Sequence, residues 1–121
     1  DEVIMMVVRA ALGTLRKSDV LGRIGGEEFA IFLPDTNLEG AKIVAEKVRK
    51  KIELTPYVDA ANEFYVTASF GASAKVPTTA SCPAAFLETS DEQLYRAKKS
   101  GRNKVCATDR CLELVPPADA A

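Results

Sequence analysis

The sequence predicts a mixed domain, α+β or α/β, on three observations. Apolar residues recur at three- and four-residue spacings in separate stretches, short β-type runs lie between them, and no internal repeat is visible. The 121 residues, 47% apolar and 27% charged, are what one ordinary globular domain with a real core requires.

The elements follow in order. Asp1 to Arg16 puts Ile4, Val8, Leu12 and Leu15 on one helical face with Ala11 beside them, and Gly13 weakens the last turn. Two β-type runs, Val20 to Ile24 and Phe29 to Leu33, flank Gly25-Gly26-Glu27-Glu28. A glycine pair there reads as a tight hairpin, because glycine takes positive φ without strain. Thr36 followed by Glu39 has capping-box spacing, and the helix behind it carries Leu38, Ala41, Ala45, Val48 and Ile52 until Pro56 stops it. Phe64, Val66, Ala68 and Phe70 alternate, so Phe64 to Gly71 reads as a strand with one buried face. Pro77 to Ser81 is a small-residue loop, and Pro83 to Leu87 a short helical turn. Thr89 and Glu92 repeat the capping spacing ahead of a helix that runs to Lys99, with Gly101 placed to end it. Lys104 to Ala107 is a short closing strand, and residues 108–121 form a flexible tail ending in Pro116-Pro117.

Composition narrows the chemistry. Seventeen acidic and sixteen basic residues give a formal charge of −1, which leaves no cation excess for a broad nucleic-acid or membrane surface. Histidine is absent, which removes Ser-His-Asp and Cys-His catalysis and any imidazole switch. Cys82, Cys106 and Cys111 include no CxxC spacing and read as reduced thiols. No apolar run approaches the ~20 residues of a membrane span and no signal-peptide pattern opens the chain, so a soluble cytoplasmic location is expected.

The residues with most to say are at the hairpin tip. Glu27 and Glu28 beside bare glycine amides fit a solvated acidic turn. They also fit two carboxylates that hold Mg²⁺ while Gly25 and Gly26 let a phosphate approach, although from these four residues alone the solvated turn is the favoured reading. Lys98, Lys99 and Arg102 fit favourable charge at a helix C-terminus; Lys98 and Arg102, four apart, also suit a polyphosphate. Arg16 and Asp19 fit a surface ion pair.

Taken together these motifs resemble one family. Arg23-Ile24-Gly25-Gly26-Glu27-Glu28-Phe29 is similar to the signature of the GGDEF family of diguanylate cyclases, in its GGEEF form. Asp91 to Asn103, with Ala97-Lys98-Lys99-Ser100-Gly101-Arg102-Asn103 at its end, resembles that family's second hallmark; Thr67 to Gly71 and the Asp1-Glu2-Val3-Ile4 helix start are similar too. The resemblance covers residues 1–107, a partial domain. It implies an α+β fold of the nucleotide-cyclase palm type, ferredoxin-like, with a central, mostly antiparallel sheet flanked by helices and truncated at its N-terminal side.

The resemblance also implies a function: condensation of two GTP into cyclic di-GMP with release of two pyrophosphates, each 3′-hydroxyl attacking the other nucleotide's α-phosphorus. Glu27 and Glu28 would ligate Mg²⁺ (or Mn²⁺) and assist deprotonation. Gly25 and Gly26 would let the nucleotide lie against the turn, Lys98 and Arg102 would grip the terminal phosphates, and Asp1 would read guanine. Arg16 and Asp19, an Arg-x-x-Asp tetrad ending five residues before the glycine pair, match the family's inhibitory product site, with Lys47 where some members carry arginine. Two domains must meet face to face, which implies a homodimer, and a sensory or receiver domain usually lies upstream. Members of the family also carry a strand and helix ahead of the Asp1 position, roughly 40 residues in size. These hold a metal-motif aspartate, a phosphate lysine and a guanine-reading asparagine. The expectation is that the 121 residues alone do not catalyse. The alternative is a degenerate domain that binds cyclic di-GMP or GTP without turnover.

Overall fold

A computed structural model gives the order α1 (Glu2–Leu12), β1 (Val20–Gly25), β2 (Glu28–Phe32), α2 (Leu38–Leu54), β3 (Tyr57–Asp59), β4 (Asn62–Phe64), β5 (Phe70–Ala72), α3 (Pro83–Lys99) and β6 (Val105–Ala107). The structure describes residues 2–75 and 83–107, with the backbone alone for residues 83–86. Asp1, the Pro77 to Ser81 loop and the 108–121 tail lie outside the described residues. The class is α+β. Strands pair as three two-stranded ladders: β1–β2 and β3–β4 antiparallel, β5–β6 parallel. Among the described residues no strand joins two ladders, so the central sheet implied by resemblance is present as separate pieces.

The core lies between α1, α2 and the inner strand residues. Ala10, Ala11, Val48 and Ile52 are buried, and Val7, Leu21, Val44, Val66, Ala68 and Phe70 pack against them. On α1 the buried pair is Ala10 and Ala11, with Val7 packed beside them against α2. That turns the helix away from the expected Ile4–Val8–Leu12–Leu15 face, and Leu12 is exposed. On α2 the Ala41–Val48–Ile52 stripe is buried as its spacing predicts, and Lys42 and Arg49 are buried with it. Its N-cap is Asn37 instead of Thr36. The Asn37 Oδ1 accepts the Gly40 amide at 2.8 Å, while the Thr36 hydroxyl donates to the Pro34 carbonyl.

Three further expectations change. The strand expected over Phe64 to Gly71 is split: Phe64 pairs with Tyr57 in the β3–β4 hairpin, and only from Phe70 does the chain find a partner, β6. Val66 and Ala68 still face the core, so the alternation holds where the ladder does not. Pro83 to Lys99 is one helix, with Thr89 inside it and proline in the first position, where its missing N–H costs nothing. Cys106 is fully buried and disulfide-bonded, which corrects the reading of three reduced thiols; the other two cysteines lie outside the described residues. No described helix is long and apolar enough to cross a membrane.

The β3–β4 hairpin, absent from the sequence reading, folds back on the start of α1. The Tyr57 hydroxyl donates to Glu2 Oε2 at 2.5 Å, which pushes its pKa up to about 12, and its ring packs on Phe64 at 4.8 Å between centroids.

The placement of α3 rests on β5. A Cβ at Gly71 would stand 2.1 Å from the Leu94 nitrogen and 2.2 Å from the Ser90 oxygen, both backbone atoms of the helix. Neither can yield as a flexible side chain would. Gly71→Ala is therefore expected to destabilise the fold by about 3 kcal/mol or more, read as a lowered urea midpoint. A change within ~0.5 kcal/mol, the range of an innocuous surface substitution, would contradict this contact.

Candidate functional site

The hairpin tip is built for access. Gly25 ends β1 and pairs with Glu28 across a turn made by Gly26 and Glu27. Gly26 takes φ +54°, the left-handed value that the first central position of a type II′ turn requires. Among the described residues, no atom beyond the chain neighbours lies within 4 Å of a Cβ built at Gly25 or Gly26. Packing therefore does not exclude side chains there, and their absence leaves the backbone open to solvent. The ladder shifts register between Arg23 and Gly25, so Ile24 is an extra residue that re-aims the tip. Arg23 braces it, donating from Nε (3.0 Å) and Nη2 (2.6 Å) to the Gly26 carbonyl.

Glu28 meets the end of α3. Lys98 Nζ lies 3.3 Å from Glu28 Oε2, joining residues 70 positions apart. Both side chains are partly open, at 37% for Lys98 and 45% for Glu28, so the pair contributes at most about 1 kcal/mol to stability. Its significance is positional: the acidic turn and the basic helix end border the same space. Glu27 sits exposed in the turn with no partner among the described residues. The last turn of α3 carries Arg96, Lys98 and Lys99, the sign that the helix dipole favours at that end.

The helix stops in a Schellman arrangement. The Arg102 amide donates to the Ala97 carbonyl at 2.9 Å, and Gly101 between them has φ +120°. Arg102 is thus not the next turn of the helix, and the shared-face argument from its spacing to Lys98 does not apply. It is instead presented by a backbone at φ +62°, followed by Asn103 at +48°. Left-handed φ costs a non-glycine residue about 1–2 kcal/mol. Offsetting contacts come from α2. Asn103 Oδ1 accepts from Arg49 Nη1 at 2.9 Å, its Nδ2 donates to Glu53 Oε2 at 2.6 Å, and its backbone N–H donates to Ser69 Oγ at 3.1 Å. Arg49 is itself gripped by both oxygens of Glu46, at 2.7 and 2.6 Å, which holds the Glu46 carboxyl below the usual carboxylate range.

A second cluster lies at the base of the β1–β2 hairpin. Arg16 Nη2 bonds Asp19 Oδ1 (3.0 Å), the Pro34 carbonyl (2.9 Å) and Thr36 Oγ1 (3.0 Å), so one guanidinium ties the segment entering β1 to the segment leaving β2. The Asp19 side chain is 1% exposed and accepts the Arg16 backbone amide at 2.7 Å; the Arg16 side chain is 56% exposed. Lys47 stands exposed on α2. The structure thus brings together Glu28 with Lys98, and Arg16 with Asp19, and gives Lys47 no described contact with either pair.

Sequence reasoning misses four contributors. Arg23 belongs to the hairpin motif, but nothing in that motif marks it as a brace. Arg49 and Glu53 sit at the i, i+4 spacing that signals a helical ion pair, yet their shared partner Asn103 is 50 or more residues away. The one local hint for Asn103 was its type, since asparagine tolerates left-handed φ better than most residues.

Known proteins bear on this geometry. The family described as "Diguanylate cyclase, GGDEF domain" matches residues 1–104. A probable diguanylate cyclase of Escherichia coli, DgcT, is 38% identical over 114 residues, covering 90% of this chain and 24% of its own. The response regulator PleD of Caulobacter vibrioides is 37% identical over 107 residues, covering 87% and 23%. The chain therefore spans about a quarter of the length of these relatives. Among solved structures, the diguanylate cyclase SiaD of Pseudomonas aeruginosa, in complex with its activator SiaC, superposes with a TM-score of 0.81 at 32% identity, covering 88% of this chain and 40% of that one. The active GGEEF domain of a Vibrio cholerae diguanylate cyclase does so at 0.76 and 31%, covering 88% and 67%.

The Arg16–Asp19 pair sets a pH dependence. Its hydrogen bond from Arg16 comes first among the causes that lower the Asp19 pKa. A lowered folded-state value means that the pair's stabilisation is complete above the unfolded value, about pH 4, and is lost as pH falls through the folded one. Asp19→Asn should lower the unfolding midpoint at neutral pH, and the gap to the unsubstituted protein should shrink as both are taken below about pH 4. A gap that stays constant down to the acid transition would show that Asp19 is not held ionised by this contact.

Proposed function

Because this chain belongs to the GGDEF family of diguanylate cyclases, we propose that it is the catalytic domain of a protein that joins two GTP molecules into cyclic di-GMP, releasing two pyrophosphates. The observation that carries the proposal is the 3.3 Å approach of Lys98 to Glu28. It sets carboxylate and ammonium side by side, next to a turn whose glycines leave backbone uncovered.

Each residue then has a task. Gly25 and Gly26 give the nucleotide a surface free of side chains. Lys98 and Arg102 hold the outer phosphates by charge, with the planar guanidinium adding paired hydrogen bonds. Glu27 and Glu28 are the donors for a divalent cation. Mg²⁺ commonly takes one or two carboxylates with water and substrate phosphates, and among the described residues no larger acid cluster exists to form an all-protein cage. The bound cation would neutralise phosphate charge and ease ionisation of the attacking 3′-hydroxyl. Asp1, outside the described residues, is assigned the guanine edge. Arg16 and Asp19, with Lys47 as a further cation, are assigned to cyclic di-GMP as an inhibitory site, in which product competes with the chain's own Pro34 and Thr36 acceptors for the guanidinium.

One domain supplies one such site and the product needs two nucleotides, so the active species is a homodimer. The relatives are about four times longer than the match, which leaves room for an upstream sensory or receiver domain that controls pairing. Turnover is assigned to that longer protein in the cytoplasm. The 121 residues alone offer the Glu27 and Glu28 carboxylates, and among the described residues the ladders stay unjoined; they are expected to be inactive.

The test uses the full-length protein. Glu28→Gln should lower GTP turnover by at least about 100-fold, the scale of a lost proton-transfer or charge-stabilising group, while calorimetric binding of cyclic di-GMP persists. Arg16→Ala should do the reverse, keeping turnover and losing product binding. Retained turnover in Glu28→Gln removes this carboxylate from the chemistry. Cyclic di-GMP binding by a full-length protein that never turns GTP over would favour a binding module instead.

A further inference from the structure

Beyond the Schellman stop at Gly101, Arg102 and Asn103 both lie in the left-handed region, at φ 62° and 48°, just before the chain enters β6, where the Lys104 carbonyl accepts the Phe70 amide at 2.9 Å. Such outliers persist only when their surroundings over-determine them, and they concentrate at functional sites. Here the determinants are named contacts. The Asn103 amide is held at both ends, its oxygen by Arg49 Nη1 and its nitrogen by Glu53 Oε2, and its backbone N–H is held by Ser69. Arg49 is 8% exposed and locked by Glu46, so the anchor on α2 is rigid. Asparagine alone presents an acceptor and a donor side by side in this shape.

What the strained turn delivers is Arg102. Arg16, Arg23, Arg49 and Arg96 each spend their guanidinium on acceptors of the chain. Arg102, like Arg9 on α1, is exposed and makes no side-chain hydrogen bond or ion pair among the described residues. Unlike Arg9, it stands on a left-handed backbone, four residues beyond Lys98.

We propose that Asn103 is a positioning residue for the substrate: latched between Arg49 and Glu53 of α2, it fixes the left-handed turn that aims Arg102 at the phosphates of GTP. This rests on the reading of Lys98 and Arg102 as the phosphate grip, and it adds α2 as the element that sets the grip's geometry.

The test is steady-state GTP turnover by the full-length protein, with KM and kcat measured separately. Asn103→Ala is expected to raise KM for GTP about tenfold and to add nothing when combined with Arg102→Ala. Asn103→Asp keeps the acceptor for Arg49 but sets two carboxylates against each other, and should raise KM similarly. Adding Glu53→Gln to Asn103→Asp restores a donor–acceptor pair with its polarity reversed, and should return KM to within about twofold of the unsubstituted protein. This double variant also decides the matter if Asn103→Ala does not fold. An asparagine that served stability alone would lower the active fraction, and so kcat, at unchanged KM. Unchanged KM in the folded Asn103 variants, or full additivity with Arg102→Ala, overturns the proposal while leaving the grip intact. Unchanged KM in Arg102→Ala itself overturns both.

Discussion

The placement of the α3 groups at the candidate site depends on the contact made possible by the missing side chain at Gly71. Strand β5 lies so close beneath α3 that a single methyl group would meet helix backbone at 2.1 Å. Because β5 also pairs with β6, which holds the fully buried Val105 and Cys106, the helix is fixed against a short two-stranded floor. With that axis set, Lys98 in the last turn falls where the β1–β2 hairpin can reach it. A helix lifted by the ångström or more that an added Cβ demands would carry Lys98 and the turn behind it away from Glu28. The close packing is thus the step by which a glycine in a strand decides the spacing between a carboxylate and an ammonium 70 residues apart in the chain.

The site's electrostatics are local in a molecule that is nearly neutral overall. A charge of −1 over 121 residues gives no long-range pull on a nucleotide. The phosphate grip proposed above needs concentrated charge, which the end of α3 supplies. Three cations lie in the last turn, where the negative end of the helix dipole stabilises them, and Arg102 follows immediately. The Lys98–Glu28 pair is half open to water and adds little to stability, so the proposed phosphate and cation would part it at small cost. A buried pair in the same place would resist that exchange, because removing one partner strands the other in a medium that penalises isolated charge. Partial exposure is therefore what a site that must reorganise around a ligand requires.

Much of this was legible in the residues. The glycine pair announced the hairpin, the Ala41–Val48–Ile52 spacing announced the buried face of α2, and Gly101 announced the end of α3. What failed shares a cause. The face of α1, the extent of the strand after Phe64 and the identity of the α2 cap were all decided by what the segment meets. Ala10 and Ala11 score as weak hydrophobes, yet they are the buried pair of α1, a role visible only once α2 is beside them. Val66 and Ala68 alternate as strand residues do, but a ladder needs a neighbour that periodicity cannot report. Asn37 displaced Thr36 as the cap because Thr36 is engaged with Pro34 and Arg16. The Asn103 latch was least legible of all, since its partners lie on α2 and nothing in the spacing of Arg49 and Glu53 names a third residue 50 positions on.

The two sides of the candidate site solve one backbone problem in opposite ways. Each needs a chain reversal with positive φ next to the functional groups. At the hairpin the reversal is given to Gly26, which adopts it without strain and leaves open space above the turn, so that room itself is the product. At the end of α3, glycine serves only as far as Gly101. A glycine at the next position would relieve the left-handed strain but would carry no guanidinium, and a relaxed arginine would point elsewhere. Under the proposed phosphate grip, the strain at Arg102 and Asn103 places a cation there, and the Arg49–Glu53 anchor is its counterweight. Bare backbone on one side and a braced arginine on the other are what a pocket for a phosphate chain calls for: space where the ligand lies and fixed charge where it ends.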